Sequence, residues 1–252
     1  ALENAFELIL EYLDKFRQKQ IQGTATAKLH ISLAMIYFDL SELELSKKHY
    51  QCCQKELHAC VLLYDYSMDC YSLIGLGCIL YKQEQYEKAN VLLEKAVVLS
   101  QTNKMWMTEA RAYYELAQGA INNHNTDSAI QLLNKSLKIR QDHQNIPATT
   151  SCLIRLGEIH LEKDTTVAKS YLLKALKNAV HKNLIPKLIL IYDLLARLHE
   201  KEKAYEKAYE CLKLKETYYQ QTYDLATNNQ SKFLSFKYKN KIAQEKSVLQ
   251  QQ

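Results

Sequence analysis

Glycine and proline are almost missing from this chain, with five Gly and two Pro among 252 residues. Gly supplies positive φ and Pro presets φ, so folds built from many strands and tight turns use both freely. Their scarcity argues against sheet-rich architectures. Long apolar runs are missing too: no stretch of about 18 apolar residues occurs, so no segment reads as a membrane span. The net charge of +5 is small for this length and does not by itself point to nucleic acid or an anionic membrane. There is no Gly-rich phosphate loop, no HExxH pair and no nucleophile elbow. The chain reads as non-catalytic, with no cofactor implied.

The N-terminal ALENAFELILEYLDKFRQ lacks a basic leader and carries acidic residues inside its apolar part, so it reads as an amphipathic helix and not a signal peptide. It does not begin with Met, which predicts an excised or processed segment. Seven Cys is an odd number, and their spacing fits no disulfide framework. Cys52, Cys53, His58 and Cys60 cluster in sequence but fall inside one apparent helix without the paired CxxC knuckles that hold zinc. They are expected to be small buried thiols in a reducing, cytoplasmic compartment, and no metal site is assigned.

What the chain has in quantity is Ala, Leu, Lys, Glu and Gln, all good helix formers. It also has a period. LAMIY at 33–37, LGCIL at 76–80, LAQGA at 116–120, LGEIH at 156–160 and LARLH at 195–199 share a Leu, a small residue and a larger residue three later. The small residues Ala34, Gly77, Ala117, Gly157 and Ala196 are separated by 43, 40, 40 and 39 positions. Each copy is followed by a small residue, a bulky one four later and a second small one three after that. Examples are Ala89, Leu93, Ala96 and Ala129, Leu133, Ser136; the first copy has Ser46, Tyr50, Cys53. The fourth, Ala168, Leu172, Ala175, follows a turn one residue shorter, and in the fifth Lys215 replaces the last small residue after Ala208 and Leu212.

Small residues at facing positions let two antiparallel helices approach closely, with Leu and Tyr filling the gaps between turns. One such hairpin cannot bury both its faces, so hairpins must stack. The turn signals agree: Asn122–Asn125 and Glu162–Asp164 fall inside hairpins, and Pro147 and Pro186 fall between them, three residues before each repeat's first position. Ala5, Ile9 and Tyr12 imitate the second-helix pattern, which makes residues 1–20 the second half of a partial repeat or a cap.

These positions resemble the tetratricopeptide repeat over about residues 27–225, with a period near 40 in place of the usual 34 or so. The lengthened repeats are similar to those of bacterial regulators and kinesin light chains. The resemblance implies an all-α, right-handed superhelix of about five helical hairpins, with a leading helix and a long C-terminal helix. Residues 1–228 would form the solenoid, with repeats starting near 27, 70, 110, 150 and 189, and 229–252 a capping or connector helix. It also implies a concave groove for a protein or peptide ligand, lined at the second, fifth, ninth, twelfth and thirteenth positions of each repeat. Those positions hold Ile31, Met35 and Phe38; Tyr71, Ile74, Cys78, Tyr81 and Lys82; Arg111, Tyr114, Gln118 and Asn122. Further along they hold Ile154, Glu158, Glu162, Asp193, Arg197 and Glu200. Some of the rings are expected to seal neighbouring repeats instead. Chaperone-tail capture is argued against, because Ile31 and Met35 stand where the family's carboxylate clamp needs Lys and Asn.

The eight His are dispersed and share no register that would gather them; His160 and His199, at one repeat position, are expected to pack with one nitrogen hydrogen-bonded. The tail from Ser231 carries five Lys and one acidic residue, Glu245. Contact with nucleic acid or lipid is weakly supported by so few charges. A capping helix is one reading. The other is a connector, because Leu234, Tyr238, Ile242 and Leu249 follow a loose heptad that would allow a homodimer contact. The segment is similar to those joining tetratricopeptide sensor regions to the output domains of bacterial diguanylate cyclases and histidine kinases. That resemblance implies a regulatory sensor region whose catalytic domain follows Gln252. The alternative is a free-standing peptide receptor or scaffold, similar to the helical-repeat quorum-sensing regulators of Gram-positive bacteria.

Overall fold

The computed structural model describes residues 2–19, 23–59 and 64–222. Apart from the connections, these residues are helical, and no strand occurs among them. The order is α1 (Leu2–Gln18), α2 (Thr24–Asp39), α3 (Leu43–Ala59), α4 (Tyr66–Lys82), α5 (Tyr86–Thr102) and α6 (Trp106–Asn122). Then follow α7 (Thr126–Asp142), α8 (Ile146–His160), α9 (Thr165–His181) and α10 (Ile185–Lys201). A last helix, α11, is described over residues 205–222. The lengthened period has a plain cause: most helices are 17 residues long, and three-residue connections join them both within and between hairpins.

Those connections are nearly one turn repeated. Ser41, Glu84, Lys104, His124, Gln144, Asn183 and Lys203 all sit in the left-handed region, with φ from 49° to 61°. In each, the next residue's N–H donates to the carbonyl five residues earlier, as Gln85 does to Leu80 (2.9 Å) and Asn125 to Ala120 (2.8 Å). This Schellman closure satisfies helix-end carbonyls and reverses the chain. Glycine is the usual residue there, and this chain uses none. The α8–α9 connection alone among these lacks a positive-φ residue; Leu161 keeps helical dihedrals and Asp164 caps α9 by accepting from Thr166 N (2.9 Å) and Val167 N (3.1 Å). A non-Gly residue pays sterically for this conformation. Lys104→Gly and Glu84→Gly are therefore expected to stabilise the protein by roughly 0.5–1 kcal/mol each, read as a rise in denaturant midpoint.

The small residues mark helix contacts as expected. Ser46 Oγ donates to Ala34 O (2.7 Å) across the first hairpin, and Ser136 Oγ to Ala110 O (2.6 Å) across the third. A Cβ at Gly77 would lie 2.9 Å from Leu93 Cγ, and one at Gly157 2.7 Å from Leu172 Cδ2. In the fifth hairpin the misfit Lys215 has its own reason: its ammonium bonds Asp193 Oδ1 on α10 at 2.6 Å, so an ion pair stands where a close approach would be. Both prolines sit at the start of helices, in α8 and α10. The core runs as a chain of clusters along the stack, the largest joining Leu133, Leu156, Leu172, Ile191 and Leu198 across the third, fourth and fifth hairpins.

Of the residues expected to face inward on the leading helix, Ile9 packs on the core while Tyr12 is 45% exposed, and the side chain of Ala5 lies outside those described. Among the described side chains of α1, Phe6 and Leu13 are buried, packed on Leu33. Phe6 also meets Tyr37 edge-on, with ring centroids 5.5 Å apart. The larger Phe and Leu side chains set which side of α1 turns inward. Leu234, Tyr238, Ile242 and Leu249 lie outside the described residues. Among the described residues no helix is long and apolar enough to cross a membrane.

Candidate functional site: the wall of first helices

Stacking brings first helices of neighbouring hairpins into direct contact, α2 with α4, α4 with α6 and α8 with α10, and between α6 and α8 the wall is carried by side chains. The wall is stitched by cations reaching back to the preceding repeat. Lys82 on α4 lies over the Phe38 ring of α2, its Nζ 4.2 Å from the centroid. Arg111 on α6 lies 5.6 Å from the Tyr71 ring of α4, whose hydroxyl also donates to Met107 Sδ (3.2 Å). Between α6 and α8 the bridge is Tyr114, with Arg155 bonded to its hydroxyl and the Arg140 guanidinium 4.8 Å from its ring. Such contacts contribute about 0.5–2 kcal/mol each depending on desolvation. Phe38, Tyr71 and Tyr114 therefore seal repeats with one side while remaining only half-buried on the wall.

Three of the anticipated groove residues are corrected. Ile74 is fully buried, closed in with Ala112 and Leu116 between α4 and α6, so it is core. Tyr81 is also buried; its hydroxyl donates to Asn90 Oδ1, and its tip sits where a Cβ at Gly119 would lie, 2.1 Å away. The same two repeat positions, the fifth and the twelfth, hold Ile74 and Tyr81 in the core but leave Tyr114 and Phe38 half-buried. Ile154 is likewise almost buried. Met35, Lys82, Asn122, Arg197 and Glu200 are exposed, and Glu158 is half-buried with its carboxylate on Arg155 Nη1 (2.6 Å). Glu162 accepts from Lys201 and lies 3.8 Å from Arg197.

Sequence reasoning missed Glu115, Arg140, Arg155 and Lys187, because none falls on the family's groove positions. Glu115 lies between repeats with the Cys78 thiol bonded to it. Burial pushes its carboxyl up, against the pull of Arg111, Arg140 and Arg155. Arg140, on second helix α7, is 7% exposed and donates to Ala148 O (2.8 Å) and Cys152 Sγ (3.3 Å) on α8. Gln118 is half-buried, and its amide Nε2 is buried without a hydrogen-bond partner among the described residues, where buried amide groups are almost always paired.

A cavity of about 180 Å³ opens on the wall over α6, α8 and α10, bordered by Tyr114, Ser151, Arg155, Lys187, Asp193 and Arg197. The His residues are less scattered than their spacing suggested. His30 and His49 meet Nδ1 to Nδ1 at 2.9 Å across the first hairpin, with Tyr37 stacked on His49. His160 stacks on Tyr171, and His199 Nδ1 contacts Glu202 (3.0 Å). Cys53 is core, its thiol pushed up to about 12 by burial; Cys60 lies outside the described residues.

The family model of the tetratricopeptide repeat matches residues 110–143, which are most of α6, the turn after it, α7 and the residue that follows. BtubC (BKLC) from P. vanneervenii superposes with a TM-score of 0.69 at 17% identity, over 88% of this chain and 92% of that one. The fold is that of the tetratricopeptide-repeat solenoids. A Rap protein complexed with competence and sporulation factor gives 0.69 at 14% identity, over 85% of this chain and 59% of its own. The tetratricopeptide-repeat sensor protein of the STAND class from Pyrococcus horikoshii gives 0.67 at 22%, over 80% and 31%. No curated protein sequence matches the chain. The wall presents half-buried rings, guanidinium groups beside them and the unpaired amide of Gln118.

Proposed function

We propose that this solenoid is a peptide receptor that takes an extended segment of a partner along its wall of first helices. The observation that carries the reading is the unpaired Nε2 of Gln118 beside a file of half-buried rings. A polypeptide carbonyl would satisfy that donor, and half-exposed rings near Arg are favourable anchors for side chains. The Rap protein above is in complex with competence and sporulation factor, and the Rap conjugation gene regulator of plasmid pLS20, similar in fold, is in complex with the Phr* peptide, which supports the free-standing receptor reading. The sensor reading, in which the ligand acts through a C-terminal connector and homodimer on an output domain such as a diguanylate cyclase, depends on residues 234–249. Those lie outside the described residues, so the receptor reading stands first. The buried thiols suit a reducing, cytoplasmic setting for either.

The test is selection of displayed random dodecamers on the immobilised protein. Captured peptides are expected to lose binding at least tenfold on Tyr114→Ala or Gln118→Ala and to keep it on Val98→Ser, which alters an exposed residue of α5. Capture that ignores Tyr114 and Gln118 would sink the reading.

A further inference from the structure

The charges around the wall cavity do not balance. Arg155 is paired with Glu158 (2.6 Å), Lys215 with Asp193 (2.6 Å), and Arg197 with Lys201 shares Glu162. Arg111 and Glu115 stand one turn apart on α6 and attract each other. That leaves Lys187, which donates to Pro147 O and to Ser151 Oγ (2.7 Å), both neutral. Arg140 lies behind the cavity lining, where it donates to a carbonyl and a thiol, sits beside the Tyr114 ring and attracts Glu115. Lys187 has no carboxylate partner among the described residues, and burial and then Arg140 push its ammonium below its ordinary value. Holding a partly buried cation near another without its own counter-charge is costly, and an anion in the cavity beside Lys187 would relieve it.

We propose that the cavity bordered by Tyr114, Ser151, Arg155 and Lys187 is a subsite for the side-chain carboxylate of an internal Asp or Glu in the bound peptide. This rests on the peptide-receptor reading above and specifies its ligand. The volume, about 180 Å³, is that of roughly six waters and admits one short side chain. Glu158 and Asp193 flank the same space, so a single carboxylate charge fits and a phosphate dianion is opposed. The cavity lies partway along the stack, against α6, α8 and α10, with first helices α2 and α4 preceding it. A chain lying along the wall therefore crosses it with an internal residue and not only with its terminus.

The dodecamer selection separates this from the parent reading. Peptides whose capture depends on Tyr114 and Gln118 are expected to carry Asp or Glu at one position well above the library frequency. Lys187→Met should abolish that enrichment while capture persists. A selected peptide made with a C-terminal amide should lose about tenfold in affinity when that acidic residue becomes Asn or Gln, an arm that leaves the protein untouched. Wall-dependent peptides without acidic enrichment, or an enrichment unchanged in Lys187→Met, would overturn the subsite and leave the receptor standing. Affinity lost on amidation instead of on the Asn or Gln change would overturn it in favour of a terminal carboxylate. If no peptide is captured through the wall, the receptor reading fails and the subsite with it.

Discussion

Gly75→Ala is expected to cost about 3 kcal/mol, at the upper end of what one added methyl does to a packed core. The new Cβ would lie 2.1 Å from Tyr50 Cζ and 2.4 Å and 2.6 Å from the flanking ring carbons. A flexible chain could yield, but this ring cannot. Tyr50 is 3% exposed, packed with Ala34 and Ile79 between the first two hairpins, and burial pushes its hydroxyl up to about 12. The other second helices place Leu93 and Leu172 at this position, and these reach only the Gly of their own hairpin. Tyr is longer and reaches past Ala34 to the next first helix, so Gly75 exists to receive it. Because a solenoid's stability is a sum of neighbour interfaces, the loss should concentrate at the first two hairpins. Hydrogen exchange should show α2 and α3 losing protection while α8 and α9 keep theirs. Tyr50→Leu in the Gly75→Ala background should recover more than the two single changes would predict by addition. Additive behaviour would mean the ring and the glycine are not partners.

The repeat itself was legible because backbone approach demands small side chains at fixed spacing, and a demand repeated five times leaves a period. Even the departures could be read: the Gly157-to-Ala168 spacing, one residue short, and the absent small residue at Lys215 were visible as irregularities, and the first falls to a shortened α8 followed by a connection of four residues. Their causes were not, since Asp193 lies 22 positions from Lys215. The wall was legible by halves. Family positions selected Phe38, Tyr71, Arg111, Tyr114 and Gln118, which the fold leaves half-buried. They also selected Ile74 and Tyr81, because a helix position names a direction and not a distance; whether it ends in groove or core depends on how near the next first helix lies. Arg140 and Lys187 were beyond reach for a different reason. Arg140 belongs to a second helix and reaches the wall only because α7 docks beside α8, a relation carried by no single repeat's pattern.

Gly119→Ala is expected to lower stability by about 2 kcal/mol and to abolish peptide capture. Its Cβ would stand 2.1 Å from Tyr81 Oη and 2.2 Å from Cζ. Here the obstacle is the tip of a ring that is 8% exposed, so the ring has somewhere to go that Tyr50 lacks. Swinging away breaks its bond to Asn90 and carries the phenol over the junction of α4 and α6, next to the Tyr71–Arg111 contact. The displaced ring would lie where the ligand is proposed to run. Adding Tyr81→Leu removes the colliding hydroxyl and should restore both stability and capture. Recovery of stability without capture would instead make Tyr81 a ligand contact in its own right, reversing the assignment of this side chain to the core. Equilibrium unfolding and peptide titration on these two variants and the parent protein separate these outcomes, because the steric account ties the two losses together and a direct contact does not.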